Sequence, residues 1–357
     1  MNPTMEQPIH WGILGLGKIA RSFATDLVLV PDARLYAVAS RDQAKSESFA
    51  AEFGAAKAYT SYAEMLADPE VQAVYIATPH TLHLEHSLMA IRAGKHVLCE
   101  KPIAPTAPEG LKLVRAAEKA GVINMINFSY RNNPVLHHAR RFVEGGKLGR
   151  IMHFEARYLQ TWLTAPIWGD WRTSPGLLWR LSTAHGSKGA LGDIGVHIAD
   201  LATYVAAQRV VTLDASLKTF SKIQGDRVGE YALDANDSAY LRVELEGGGL
   251  GTICTTRWAT GQVNTLALSL HGDQGALRFD LDKSDTDLEV CLGRDVAKVK
   301  WKTIKSPAAP NIYRRFITSI RTGRNDSSDF RRGWEVQKIL DAAFLSDARG
   351  TTVKLKP

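Results

Sequence analysis

A carboxylate and an imidazole stand four residues apart in the apolar segment "ALGDIGVHIADL" (190–201). In a helix this spacing places Asp193 and His197 on one face. Histidine has an ordinary pKa of about 6.5, so it can accept a proton near neutral pH while a neighbouring carboxylate orients it or its reaction partner. The structural alternative is a core histidine with satisfied hydrogen bonds, and Asp193 as a helix N-cap.

A glycine turn follows the first apolar strand, in the segment "GLGKIA" (15–20). Its form is G-x-G-x-x-A, in which Gly15 permits a tight turn, Gly17 lets the backbone approach a pyrophosphate, and Ala20 keeps the helix close to the strand. A plain strand–helix turn is the alternative. At the first strand of a β–α series, however, the motif favours a dinucleotide site.

The end of the second strand selects the ribose in such sites, and here it reads "ASRD". An acidic residue at this point would hold the 2′-hydroxyl of NAD, whereas Ser40 and Arg41 can bind a 2′-phosphate. The sequence therefore favours NADP, with NAD as the alternative because Asp42 is close by. A solvated surface charge is the structural interpretation of Arg41.

Strands and helices alternate up to about residue 125, which predicts a parallel sheet covered by helices. From residue 149 onward long β-like runs such as "RIMHFEARYLQ" and "LGTICTTRWAT" dominate, as in a large, mostly antiparallel open sheet. The predicted fold class is thus α/β, with an N-terminal Rossmann domain (1–125) and a C-terminal α/β domain for substrate binding and oligomerisation (126–357). Packing of the final helix on the N-terminal domain is left open.

Composition excludes several classes of protein. Of the 357 residues 45% are hydrophobic and 23% charged, which is ordinary for a globular protein. The net charge of +7 comes from scattered Lys and Arg residues rather than a basic stripe, so we expect no nucleic-acid partner. Three distant cysteines, no secretory signal and no apolar run of about 18 residues predict a reduced, cytoplasmic protein with no metal centre and no membrane contact.

The segment "VLCEKP" (97–102) gives the pattern a specific resemblance. With the glycine turn, "ATPHTLH", "NFSYRNNPVLHHARRFVEGGKLGRI" and "GALGDIGVHIADL" in this order, the chain resembles the Gfo/Idh/MocA family, the glucose–fructose oxidoreductase and inositol dehydrogenase type of enzymes. The resemblance implies a Rossmann domain, a second domain with an open sheet, a nicotinamide between them, and a sugar or polyol substrate. The chain departs from the family in "GSKGALG", where Ser187 and Lys188 interrupt a glycine run.

The resemblance also implies the site residues. The Lys of "EKP" and the Asp and His of D-x-G-x-H correspond to Lys101, Asp193 and His197. We expect His197 to be the base, Lys101 to donate to the developing alkoxide or relay the proton, and Asp193 to bind a neighbouring hydroxyl or hold His197 or Lys101. The expected cofactor-binding residues are Gly15, Gly17, Lys18, Ile19, Ser40, Arg41, Thr78, Pro79, His83, Glu100 and Lys101. Glu100 has a structural role as its alternative, and the Lys101–Pro102 bond is expected to be cis.

Four of the eight tryptophans lie between residues 162 and 179. Indole faces stack on sugars, so Trp162, Trp168 and Trp171 are substrate-binding candidates together with Arg131, Asp193 and His197; burial in a core or an interface is equally open for the tryptophans. Alternating β-runs leave one sheet face for a homodimer or homotetramer.

The sequence therefore predicts an NAD(P)-dependent oxidoreductase, NADP favoured, acting on CH–OH groups of a sugar, polyol or glycoside. A redox-assisted glycosidase with tightly bound NAD(H) and a non-catalytic NADP sensor are the alternatives.

Overall fold

The computed structural model describes residues 7–356, which form two compact units. The first combines the residues up to Ser129 with Pro310–Gln337, and the second combines Tyr130–Ala309 with the residues from Lys338 onward. The sequence analysis divides the chain once, near residue 125, and leaves open that the final helix packs on the N-terminal domain. In the structure the start of that helix, from Phe330 to Gln337, belongs to the first unit, and residues 310–329 join it there as an addition from the structure.

Between residues 7 and 129 six strands and five helices alternate along the chain. The strands are β1 (Ile9–Leu14), β2 (Ala33–Ala39), β3 (Lys57–Tyr59), β4 (Ala73–Ile76), β5 (His96–Cys99) and β6 (Asn124–Ile126), and the helices are α1 (Lys18–Leu27), α2 (Gln43–Phe53), α3 (Tyr62–Ala67), α4 (His83–Arg92) and α5 (Ala107–Ala120). The sheet has the order β3-β2-β1-β4-β5-β6, and all its pairs are parallel. This order reverses direction beside β1, which is where open α/β sheets bind their ligands.

The second unit is built on a sheet of nine strands. Its elements up to Ala309 are α6 (Pro134–Glu144), β7 (Ile151–Gln160), α7 (Pro175–Leu178), α8 (Val196–Ala206), β8 (Val210–Lys218), β9 (Arg227–Val228), β10 (Tyr231–Ala232), β11 (Ser238–Leu245), β12 (Leu250–Thr256), β13 (Asn264–Gly272), β14 (Gly275–Asp280), β15 (Asp287–Leu292) and β16 (Lys302–Lys305). The remaining elements are α9 (Ile312–Thr322), α10 (Phe330–Arg349) and β17 (Val353–Lys354). The large sheet has the order β16-β15-β14-β13-β7-β12-β11-β8-β17, and β9 and β10 form a separate two-stranded sheet. Only the β7–β12 pair is parallel in the large sheet.

The two faces of the nine-stranded sheet differ. Helix α8 packs against β7, β12 and β13, and all of its residues are buried. On the other face Met152, Tyr240 and Leu250 are 51%, 59% and 53% exposed. The sheet therefore has one face covered by helix and one face open, as the alternating sequence predicts.

Helix α9 completes the core of the first unit although it lies far along the chain. Its apolar residues Ile312, Tyr313, Phe316 and Ile317 belong to the same cluster as the strands and helices that precede Ser129. The ring of Phe316 lies 5.2 Å from that of Trp11 on β1, and the ring of Tyr313 lies 5.1 Å from that of Phe23 on α1. The parallel sheet thus depends on a helix that sequence periodicity alone does not assign to it.

Within residues 7–356 no helix is both long enough and apolar enough to cross a bilayer. The same residues contain no cluster of three or more histidine, cysteine or acidic side chains suited to a metal ion.

Candidate functional site

The glycine turn lies between β1 and α1 in the first unit. Gly15 has φ of +85°, and a Cβ at this position would stand 2.7 Å from the Thr78 Cγ2 atom, so both backbone and space require glycine. Gly17 differs, because its φ is −87° and a Cβ there would meet nothing within 4 Å. Neither conformation nor packing explains Gly17, whereas an open space before the first turn of α1 suits a pyrophosphate. Lys18 and Ile19 are exposed beside it.

Ser40, Arg41 and Asp42 follow β2, the strand next to β1. The Ser40 hydroxyl accepts a hydrogen bond from the Asp42 amide at 3.3 Å. The Asp42 carboxylate in turn accepts from the Lys45 amide at 3.1 Å and caps helix α2. Asp42 therefore serves α2, while the exposed Arg41 is the charged side chain directly after Ser40.

Thr78, Pro79 and His83 follow β4. Pro79 is exposed, but Thr78 is 6% exposed and its hydroxyl contacts His86 Nδ1 at 2.9 Å. His83 is fully buried, with Nδ1 2.6 Å from the Pro102 carbonyl oxygen and Nε2 3.0 Å from that of Thr78. Burial lowers the pKa of His83 to about 4. The expectation that His83 lines the cofactor cleft is thus corrected, because its ring is enclosed and ties the turn after β4 to the turn after β5.

Glu100 and Lys101 stand at the end of β5. Glu100 is 8% exposed; one carboxylate oxygen accepts from the Tyr75 hydroxyl and from Asn127 Nδ2 (2.6 Å), and the other from the Lys101 amide (3.3 Å). Burial raises the pKa of Glu100, and the Tyr75 hydroxyl is the largest opposing influence. The Lys101–Pro102 bond is cis, as expected. The contacts of Glu100 are therefore those expected for a structural role, in which its carboxylate supports the backbone of Lys101.

Asp193 lies in a single π-helical turn, Leu191–Gly195, that runs directly into α8 of the second unit. Single π-helical turns are rare in proteins, and those that occur are often found at functional sites. One Asp193 carboxylate oxygen is 3.0 Å from a terminal nitrogen of Arg257 and 3.3 Å from Nε of Arg180. Arg257 is fully buried, and it also donates to the carbonyl oxygens of Arg180 (2.9 Å) and Gly189 (3.3 Å). Two guanidinium groups thus hold a partly exposed carboxylate.

Sequence reasoning missed Arg180 and Arg257. Burial lowers the pKa of Arg257, and the charge of Asp193 is the largest influence in the other direction. The available signal was Arg257 in "LGTICTTRWAT", at an inward position of an alternating run, where a charge requires a partner.

His197 is on the first turn of α8 and is 8% exposed. The ring of Tyr130 lies 4.9 Å away at an interplanar angle of 84°, an edge-to-face contact. The ring of Tyr158, on β7, is 6.4 Å away. Burial raises the pKa of Tyr158, so this phenol is protonated at neutral pH. His197 is therefore enclosed by two phenol rings that the sequence analysis did not assign.

Arg131 is not positioned for substrate, and this expectation is corrected. Its side chain is fully buried and forms two hydrogen bonds, of 2.8 and 2.6 Å, to the Asp200 carboxylate on α8. The guanidinium also lies 3.9 Å from the ring centre of Tyr204. Its donors thus serve the protein interior.

The tryptophan candidates separate by exposure. Trp162 and Trp171 are 2% and 3% exposed and belong to a small hydrophobic cluster with Leu163, Leu178, Leu181 and Leu233. Trp168 is 46% exposed. Protein side chains cover the faces of the first two indoles, which corrects the stacking expectation for them and leaves Trp168 as the candidate.

Comparison with known proteins gives a family match for each part of the chain. Residues 9–128 match the model of an oxidoreductase family with an NAD-binding Rossmann fold, and residues 136–278 match the GFO/IDH/MocA C-terminal domain. Levoglucosan dehydrogenase of Pseudarthrobacter phenanthrenivorans is 29% identical over 337 residues, 84% of each chain. A 1,5-anhydro-D-fructose reductase of Ensifer adhaerens is 35% identical over 199 residues, 55% of this chain and 56% of the relative.

Among solved structures, levoglucosan dehydrogenase in complex with NADH and L-sorbose superposes with a TM-score of 0.87 and 26% identity, over 98% of this chain and all of the other. The predicted fold class, a Rossmann unit followed by an α/β unit with a large, mostly antiparallel sheet, is confirmed. The prediction of an oxidoreductase that acts on CH–OH groups with a nicotinamide cofactor is confirmed as well. The chain therefore belongs to the Gfo/Idh/MocA family, as the order of its motifs predicts.

Proposed function

We propose that the protein transfers a hydride between NADP and a hydroxyl or keto carbon of a sugar, polyol or glycoside. The observation that supports the nicotinamide part of the proposal is the open space at Gly17. Neither the backbone conformation nor the packing requires glycine there, whereas the close approach of a dinucleotide pyrophosphate to the backbone does. The relatives, which act on levoglucosan and 1,5-anhydro-D-fructose by name, support the sugar-type substrate.

The preference for NADP rests on the turn after β2. An acidic side chain that recognised the NAD ribose would have to present its carboxylate to the ligand. Asp42 uses its carboxylate to cap α2, whereas the exposed Arg41 and the Ser40 hydroxyl suit a 2′-phosphate. The solved levoglucosan dehydrogenase is a complex with NADH, so the activity test below uses NAD and NADP in parallel.

Lys101, Asp193 and His197 are proposed to carry the reaction. The bound nicotinamide supplies hydride acceptance and return. His197 takes the hydroxyl proton as a neutral imidazole, and Lys101 donates a hydrogen bond to the oxygen as negative charge develops on it. Asp193 accepts a hydrogen bond from a neighbouring substrate hydroxyl, and Arg257 and Arg180 fix its orientation.

The open face of the nine-stranded sheet is the proposed contact of a homodimer or homotetramer. Tyr240, Leu250 and Met152 give it apolar area that a monomer would leave in water. Light scattering on the wild type and on a Tyr240→Glu variant tests this, because a monomeric wild type would contradict it.

Absorbance of the reduced nicotinamide tests the proposed activity. Purified protein receives NAD or NADP together with levoglucosan, aldoses, polyols and glycosides, and NADH or NADPH together with 1,5-anhydro-D-fructose, whose keto carbon must be reduced. We expect turnover on one substrate group, loss of it in Lys101→Ala, and full turnover in Lys112→Ala, a variant of an exposed lysine on α5. If folded protein gives no change in absorbance with either cofactor, the dehydrogenase proposal is contradicted. Cleavage of a glycoside by protein that retains its bound cofactor would establish the glycosidase alternative.

A further inference from the structure

Five side chains, two of which have their rings near His197, form one continuous hydrogen-bonded group. It is here called the Tyr130 cluster and consists of Tyr130, Tyr158, Gln160, Trp162 and Asn264. The Trp162 indole nitrogen donates to Gln160 Oε1 at 3.0 Å. Gln160 Nε2 donates to Asn264 Oδ1 (2.8 Å) and to the Tyr158 hydroxyl (3.2 Å). Asn264 Nδ2 donates to the Tyr130 hydroxyl at 2.9 Å, and the two phenol oxygens are 2.5 Å apart.

The chemistry of Trp162 fixes the direction of every bond in this cluster. An indole N–H can only donate, so Gln160 must turn its oxygen toward Trp162 and its nitrogen toward Asn264. Asn264 must then present its oxygen to Gln160, which leaves its nitrogen facing Tyr130. The reverse orientation of either amide would set two donors against each other.

The directions of the two phenol O–H bonds are fixed in the same way. The Tyr158 hydroxyl is 2.8 Å from Asn264 Oδ1 and must donate to it, since two oxygens at this distance need a proton between them. The contact between the two phenols can then be made only by the proton of Tyr130. The Tyr130 hydroxyl proton therefore points to Tyr158, and the hydroxyl can act toward a ligand only as an acceptor.

We propose that Tyr130 is a positioning residue for His197, and that its phenol ring, held at the oxygen by Asn264 and Tyr158, fixes the plane of the imidazole. The contact is edge-to-face with ring centres 4.9 Å apart, within the favourable range for aromatic pairs. This role rests on the proposed function, in which His197 is the base. Tyr130 itself cannot donate its hydroxyl proton to the substrate, because that proton is used in the hydrogen bond to Tyr158.

The neighbouring residue reinforces the same contact. Arg131 binds Asp200, which lies three residues after His197 on α8. Two consecutive residues thus contact α8 at positions on one face, Tyr130 at His197 and Arg131 at Asp200. The backbone of α8 and the ring of His197 are therefore fixed by the same short segment.

The test compares Tyr130→Phe, which keeps the ring, with Tyr130→Leu, which removes it. Tyr231→Leu is the matched control, because Tyr231 packs against a different histidine, His185, with ring centres 4.2 Å apart. Each variant is followed by steady-state kinetics and by ¹⁵N NMR of the ring-labelled histidines, with the His197 signals assigned from a His197→Asn variant. The NMR measurement needs no turnover, so it reports on Tyr130 even if the proposed substrate class is wrong.

We expect Tyr130→Leu to lower kcat about tenfold or more, with KM within about threefold, because a misplaced base slows the chemical step rather than binding. Its His197 signals should move. Tyr130→Phe keeps the ring but loses the hydrogen bonds to Asn264 and Tyr158, so its loss of kcat and its shift of the His197 signals should be smaller than those of Tyr130→Leu, whereas Tyr231→Leu should behave as wild type. Unchanged kcat and unchanged His197 signals in Tyr130→Leu would overturn the proposal. A Tyr130→Phe variant as impaired as Tyr130→Leu would also overturn it, because the hydroxyl rather than the ring would then be essential.

Discussion

Replacement of Asp200 by asparagine should destabilise the second unit strongly. Asp200 pairs with Arg131 through two hydrogen bonds of 2.8 and 2.6 Å, and their side chains are 3% and 1% exposed. In Asp200→Asn the guanidinium stays buried over the ring of Tyr204 and loses the charge of this carboxylate. Breaking a buried ion pair by changing one partner costs about 3–5 kcal/mol, so we expect the free energy of unfolding to fall by that amount.

The control is Glu289→Gln, because Arg278 and Glu289 form the same two-bond geometry, at 2.9 and 3.1 Å, with side chains 44% and 37% exposed. An exposed pair of this kind contributes at most about 1 kcal/mol. Urea unfolding followed by tryptophan fluorescence suits the comparison, because six of the eight tryptophans lie in the second unit. The double variant Arg131→Met/Asp200→Leu should recover most of the loss. An Asp200→Asn variant no less stable than Glu289→Gln would refute the reasoning.

Three further predictions follow from the first unit. Gly17→Ala should weaken NADP(H) binding about tenfold or more in a fluorescence titration while the free energy of unfolding changes by no more than about 1 kcal/mol, because its Cβ meets only the ligand's space; unchanged affinity would contradict this. Arg41→Leu should lower kcat/KM for NADP about tenfold and leave that for NAD unchanged, whereas Arg34→Leu, an exposed position on β2, should affect neither; equal losses with both cofactors would exclude the 2′-phosphate contact. His83 has a pKa of about 4 when folded, below its ordinary value of about 6.5, so the unfolded chain binds the extra proton and the free energy of unfolding should fall as pH decreases from 6.5 to 4. His83→Gln should show a smaller fall in urea titrations over this range, and an equal fall would locate the effect elsewhere.

Local patterns were sufficient for the fold class and the family. The glycine turn, the strand–helix alternation and the alternating runs each depend on neighbouring residues, and all three reappear as elements of the structure. The residues proposed for catalysis also stand in local motifs, at the end of β5 and at the start of α8.

The contacts that decide each side chain's role could not be read in the same way, because their partners are distant in sequence. Arg131 meets Asp200 and Asp193 meets Arg257, each separated by more than sixty residues. The position of His83 after the fourth strand predicts a contact with the cofactor, but in the structure its side chain is fully buried and contacts the Pro102 carbonyl oxygen. Trp162 and Trp171 were assigned to sugar stacking from residue type, yet burial is set by tertiary packing.

The late position of α9 has a consequence for how the protein is made. All six strands of the parallel sheet lie within the first 129 residues, but Phe316 and Tyr313 on α9 are needed to complete its hydrophobic core. At about 5–20 residues per second, the ribosome needs about 10–40 s to translate residues 130–309 after the last parallel strand emerges. During this interval the nascent first unit exposes the apolar surface that α9 later covers. A holding chaperone would therefore meet this chain chiefly during synthesis of the second unit, and a fragment that ends at Ser129 would keep that surface exposed permanently.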